Sequence, residues 1–141
     1  MPNVLFIING LGLGNSTRCH AIIQRLLRHG AKISIVTSGN GLWYFNGKDG
    51  IDEMFELKSL KYGARDGQIS IADTLASTMG MLRILKENGQ TLNGILDRKK
   101  PDVVVSDSDY AFLPMKRRGI PTAALNNADV IYHSYRRLSD R

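Results

Sequence analysis

The sequence predicts an α/β chain: a Rossmann-like, doubly wound parallel sheet of about five strands with helices on both faces. Three observations predict it. Short apolar runs alternate with helical patterns along the chain. The first run, Val4-Leu5-Phe6-Ile7-Ile8, is continuously apolar, as a strand buried on both faces would be. A glycine-rich turn follows it at once and opens into a helix, the order of a right-handed βαβ crossover.

The elements follow in order. Asn9-Gly10-Leu11-Gly12-Leu13-Gly14-Asn15 is the first loop. Cys19, Ile22, Ile23, Leu26 and Leu27 recur at three- and four-residue steps and predict a helix over residues 16–29. Asn15 or Ser16 would cap its start and Gly30 its end. Residues 32–37 (KISIVT) read as the second strand. Residues 38–52 read as a loop containing Trp43-Tyr44-Phe45. Aromatics there stack on a sugar, dip into a membrane interface, or fold back onto the sheet. Residues 54–57 form a short third strand, and residues 59–68 are irregular.

The helical period returns at Ile71, Leu75, Met79, Leu82, Leu85, Leu92 and Leu96. Asn88-Gly89 is expected to bend or interrupt this long helix, because glycine costs about 1 kcal/mol there. Pro101 ends it. Residues 102–106 are the fourth strand, residues 111–117 a short helix, and residues 122–125 a fifth strand ending at Asn126-Asn127.

Composition narrows the function classes. The chain has 141 residues, 43% of them hydrophobic and 23% charged, which fits a single globular domain over residues 1–141. Its net charge is +6, shared equally between the two halves, so no stripe of one sign marks a nucleic-acid surface. Arg98-Lys99-Lys100 and Lys116-Arg117-Arg118 follow helical segments, where cations complement the helix dipole, the alternative being an anion or a membrane surface. Cys19 is the single cysteine, so no internal disulfide forms and a cytoplasmic setting is expected. The first apolar run is too short to span a membrane and lacks a basic leader.

The glycine loop is the strongest chemical signal. It stands where α/β sheets place ligands, and Gly10, Gly12 and Gly14 permit close approach of another group. The amides of the next helix favour an anion. Arg18, read in the first turn of that helix, opposes the dipole by roughly 0.3–1 kcal/mol. A bound phosphate or carboxylate would reverse that sign. Arg18→Ala is then expected to weaken anion binding and slightly raise the stability of the free protein. The dinucleotide fingerprint is not met: the glycines run GxGxG, and no acid stands at the end of the second strand, Val36-Thr37-Ser38-Gly39. No Walker loop, nucleophile elbow or metal spacing among His20, His29, His133 and Cys19 is seen.

A second constellation is Pro101-Asp102-Val103-Val104-Val105-Ser106-Asp107-Ser108-Asp109. Asp107 and Asp109 come just past a central strand and would face the same crevice. Carboxylates there accept a hydroxyl proton or bind sugar hydroxyls, or cap the next helix. Asp107 is the candidate base, and Asp109 reads as a cap. Asn126 ends the fifth strand in the same crevice, as a ligand contact or a turn.

The order GLGLGNSTR, IVTSG, long helix, PDVVVSD, GIPTAALNN resembles the amino-terminal domain of GT-B glycosyltransferases, the MurG-like group of glycosyltransferase family 28. Asn15 stands where that group commonly has histidine, and an amide cannot serve as a base. The resemblance implies that residues 1–141 are the acceptor-binding half of a hexosyl transferase. The donor would be a nucleotide-sugar, a UDP-sugar by preference, with no further cofactor and no metal. A carboxy-terminal nucleotide-sugar domain, or a separate partner chain, would complete the cleft. Gly10, Gly12, Gly14, Asn15, Arg18 and Asn126 would bind ligand, with Asp107 as base. The half alone is expected to be inactive, cytoplasmic and able to touch the inner membrane face. The side facing the missing domain is expected to be polar around the glycine loop. The competing readings are a non-catalytic nucleotide- or phosphate-binding module and a dinucleotide-dependent oxidoreductase domain.

Overall fold

The computed structural model describes residues 1–59, 71–107 and 113–125, and of residues 71–79 the backbone only. In chain order the elements are β1 (Asn3–Ile8), α1 (Leu13–Arg28), β2 (Lys32–Thr37), α2 (Asn40–Phe45) and β3 (Ile51–Glu56). Then come α3 (Ile71–Lys99), β4 (Val103–Asp107), α4 (Leu113–Arg117) and β5 (Thr122–Leu125). The strands form one parallel sheet in the order β3-β2-β1-β4-β5. This is the doubly wound α/β sheet the sequence predicts.

Alternation along β1 builds both cores. Val4, Phe6 and Ile8 pack with Cys19 and Ile23 of α1, Ile33 and Ile35 of β2, and Phe45 of α2. Leu5 and Ile7 face the other way, onto Val36, Leu92, Ile95 and Leu96, with Met115 of α4. A continuous apolar run is thus needed at β1, the middle of the sheet, because both its faces are covered.

Several boundaries move. α1 begins three residues earlier than the period suggests, with Gly12 at its N-cap, so Asn15 and Ser16 lie inside the helix. β3 begins at Ile51 rather than residue 54. α2 occupies part of the stretch read as loop. It takes in the aromatic triplet: Phe45 is buried, while Trp43 stays 72% exposed and does not fold back onto the sheet. α3 runs unbroken through Asn88-Gly89. Asn88 is held from outside, its side chain accepting from the Lys58 amide at 2.9 Å and donating to the Lys58 carbonyl at 2.9 Å. Residues 60–68 of the irregular stretch, residues 108–112 with Asp109, and Asn126 and Asn127 lie outside the described residues.

Part of each basic cluster is used in ion pairs within the chain. Lys99 meets Asp52 at 2.5 Å and Glu53 at 3.3 Å, and Arg98 pairs with Glu53. Arg118 reaches back to Asp97 at 2.9 Å. These contacts fasten α3 to β3 and to the turn after α4.

His20 ties α1 to α2. Its Nδ1 lies 3.0 Å from the Tyr44 hydroxyl, and the Gln24 amide nitrogen lies 3.2 Å from its Nε2. An amide donor on Nε2 suits the neutral ring, and burial, then the nearby Lys48 charge, pushes the pKa of His20 down. The unfolded chain therefore takes up a proton first as pH falls. Stability is full above the unfolded value of about 6.5 and drops as pH falls from there through the lower folded value. Urea midpoints at pH 7.5 and pH 5 should differ, and His20→Gln should shrink that difference. An unchanged difference would assign the acid sensitivity to other groups.

Candidate functional site

The carboxyl edge of the sheet is where the strand order reverses, between β1 and β4. In sheets of this kind ligands bind at that crevice. Two strand-end loops meet there. Thr37 Oγ1 donates to the Ile8 carbonyl at 2.8 Å, and the Asn40 amide donates to the Gly10 carbonyl at 3.1 Å. Asn40 Nδ2 donates to the Leu11 carbonyl at 3.2 Å. The loop after β1 is thereby bonded to the loop after β2.

The glycines divide into two kinds. A Cβ on Gly10 would stand 1.6 Å from the Ser38 carbonyl oxygen, so Gly10 is needed for the two backbones to touch. Gly12 and Gly14 have open space where a side chain would go. Both are exposed, and both belong to the start of α1. Among the described residues no side chain caps that helix and no acid stands in its first turn. The amino end of α1 thus keeps its positive dipole end open at the crevice.

Arg18 and Asp107 are brought together, in roles other than those read from sequence. With α1 beginning at Leu13, Arg18 falls in the second turn rather than the first. Its Nε donates to Asp107 Oδ2 at 2.9 Å and its Nη2 to Oδ1 at 2.5 Å. The anion that offsets this cation is supplied by the chain itself. Asp107 is the last residue of β4, paired in register with Ile8, and it is fully buried. A carboxylate enclosed beneath a bidentate guanidinium does not face the crevice as a free base would. Its hydrogen bond raises the pKa of Arg18 further, outweighing the cost of burial.

Cys19 is a partner the sequence did not suggest. Its thiol donates to Asp107 Oδ2 at 3.2 Å. Burial first, then the adjacent carboxylate, pushes the thiol well above its ordinary pKa, so it stays protonated and serves as a donor. The only sequence signal for this was its position beside Arg18. Asn15 Oδ1 lies 3.5 Å from the same guanidinium. Ser16 Oγ is buried with no hydrogen-bond partner among the described residues.

The rim is less polar than expected. Leu11 and Leu13 are 51% and 44% exposed beside the glycines. The two leucines between the glycines lie outside both cores.

The family model described as glycosyl transferase family 1 matches residues 2–139. A curated relative from Methanosarcina acetivorans, an uncharacterized glycosyltransferase, is 30% identical over 107 residues, covering 76% of this chain and 27% of the relative. Among solved structures, CalG4, the calicheamicin glycosyltransferase, is similar at a TM-score of 0.64 and 16% identity, over 100% of this chain and 38% of that one. MurG of Acinetobacter baumannii is similar at 0.63 and 16%, over 88% and 34%. These two likenesses show the fold. The chain spans about a quarter to two-fifths of the length of these proteins. With the family match running nearly from end to end and the fold agreeing, the chain belongs to glycosyl transferase family 1, as a domain of the GT-B kind.

Proposed function

We propose that this chain is the acceptor-binding half of a glycosyltransferase that moves a hexosyl group from a nucleotide-sugar, a UDP-sugar by preference. The observation that carries the reading is the open, uncapped start of α1 at the crevice, in a chain of this family. Gly12 and Gly14 leave room for a ligand to reach backbone amides. Asn15 orients a ligand hydroxyl or phosphate. Asp107 acts through Arg18: it fixes the guanidinium at the mouth of the crevice and is a positioning residue, not a base. Gly10 holds the loop in place. The other half of the cleft comes from a second domain or a partner chain.

The reaction needs donor and acceptor in one oriented, water-poor cleft, and orientation supplies roughly 7–11 kcal/mol of such a reaction's acceleration. Residues 1–141 alone are therefore expected to give no product from labelled nucleotide-sugars. Joining a family carboxy-terminal domain should restore transfer. Turnover by the 141 residues alone would overturn the half-site reading.

A cytoplasmic setting accords with the lone buried thiol. Among the described residues no helix is long and apolar enough to cross a membrane. Contact with the inner membrane face would fall to exposed Trp43. Sedimentation with liposomes, wild type against Trp43→Ala, tests it: equal and negligible binding removes that contact.

A further inference from the structure

The sequence contains five Asn-Gly pairs: Asn9-Gly10, Asn40-Gly41, Asn46-Gly47, Asn88-Gly89 and Asn93-Gly94. In such a pair the glycine amide nitrogen can attack the asparagine side-chain carbonyl, because no Cβ on the glycine obstructs the approach. The fold ties down four of the five. Asn9 Oδ1 accepts from the Leu11 amide at 3.0 Å, and Gly10 packs against the Ser38 backbone. Asn40 Nδ2 donates to the Leu11 carbonyl, and the amide of buried Gly41 donates to the Ser38 carbonyl at 3.0 Å. Asn88 is bonded through both side-chain groups to Lys58, and Asn93 Oδ1 accepts from Arg118 Nη1 at 2.6 Å. These last two pairs also lie inside α3, where the glycine amides belong to the helix ladder.

Asn46-Gly47 differs in each respect. It directly follows α2, and both residues are exposed. Among the described residues neither the Asn46 side chain nor the Gly47 amide has a hydrogen-bond partner. Asn46 at φ −60° and ψ 125° and Gly47 at φ 72° make a type II turn, closed by the Lys48 amide donating to the Phe45 carbonyl at 3.1 Å. Rotation about ψ of Asn46, with that one surface bond opened, brings the Gly47 nitrogen to the side-chain carbon.

We infer that Asn46 is a site of spontaneous deamidation. The Gly47 nitrogen loses its proton and bonds to Asn46 Cγ; the Cγ–Nδ2 bond breaks, and ammonia leaves with a proton. Water then opens the cyclic imide. Cleavage between the nitrogen and Cγ gives aspartate, and cleavage at the main-chain carbonyl carbon gives iso-aspartate, with the backbone rerouted through the side chain. Either product sets a carboxylate at the carboxyl end of α2, where the helix dipole disfavours it. Iso-aspartate also lengthens the backbone next to buried Phe45. The other end of α2, Asn40, holds Gly10 and Leu11, so the change reaches the glycine loop through α2.

The test is incubation of the folded chain at pH 7.5 and at pH 9, beside the same chain in urea, with peptide mapping by mass spectrometry. In urea all five pairs should react at similar rates. In the folded chain Asn46 should react at least about tenfold faster than the other four. It should react faster at pH 9, where more of the amide nitrogen is deprotonated. Equal rates at the five sites of the folded chain would overturn the inference. So would another pair leading, or Asn46 staying intact while the unfolded chain reacts. Asn46→Ser should keep the wild-type circular dichroism and lose the first acidic species to form; an undiminished acidic species would also overturn the inference. The Asn40 amide hydrogen should exchange faster in the aged chain than in the fresh one, and equal exchange would overturn the coupling to the glycine loop.

Discussion

Arg18→Ala should destabilise the chain by about 3 kcal/mol, read from the urea midpoint. This is opposite in sign to the expectation from sequence. Read in the first helical turn, Arg18 was a dipole liability whose loss would help. In the structure it is the partner of a fully buried carboxylate, and removing it takes a bidentate countercharge from the enclosed Asp107. The loss is set at the lower end of the range for buried pairs because the Arg18 side chain is 32% exposed and partly solvated. Asp107→Asn should cost less, since the guanidinium can turn toward water. The double-mutant cycle should show coupling of the two sites. A loss under about 1 kcal/mol for Arg18→Ala would place the pair among solvated surface pairs instead.

Alanine at Gly10 should be comparably damaging, at about 3 kcal/mol or more. Its Cβ would sit within 1.6 Å of a backbone oxygen, and backbone cannot rotate away as a side chain would. Two loops must separate, and the bond from the Asn40 amide to Gly10 is lost with them. Gly14→Ala is the contrast. It lies in the first turn of α1 over open space, so alanine should stabilise the chain by roughly 0.5–1 kcal/mol. If a ligand reaches the amide there, the same change should weaken nucleotide-sugar or phosphate binding while raising the melting temperature. Equal effects of Gly10→Ala and Gly14→Ala on stability would mean that the loops are not in backbone contact.

What was legible follows from which interactions are local. β2 and β5 were placed to the residue because their runs are bounded by a glycine turn on one side and Asn or Ser on the other. The α1 core face was legible from its period. The start of α1 was not, because Leu13-Gly14 has no cap signal and the N-cap is Gly12, which has no side chain to bond the first amides. α2 was missed since six residues contain too few turns for a period to show. The Arg18–Asp107 pair joins residues 89 positions apart, and nothing local reports it. Sequence placed both residues at the same crevice, which is what topology dictates. Their meeting depends on the register of β1 against β4 and on the depth at which Asp107 ends its strand.

The position of β1 in the middle of the sheet has a consequence for synthesis. Its first neighbour, β2, follows within about one helical crossover and can pair as soon as it leaves the ribosome. Its second neighbour, β4, begins only at Val103. At about 5–20 residues per second, the nascent chain waits several seconds between finishing β2 and making β4. During that interval Leu5, Ile7 and the free edge of β1 have neither α3 nor β4 over them. The sheet's most apolar strand is then its most exposed edge, and chaperone binding in this window should matter more to the yield of native protein than any later step.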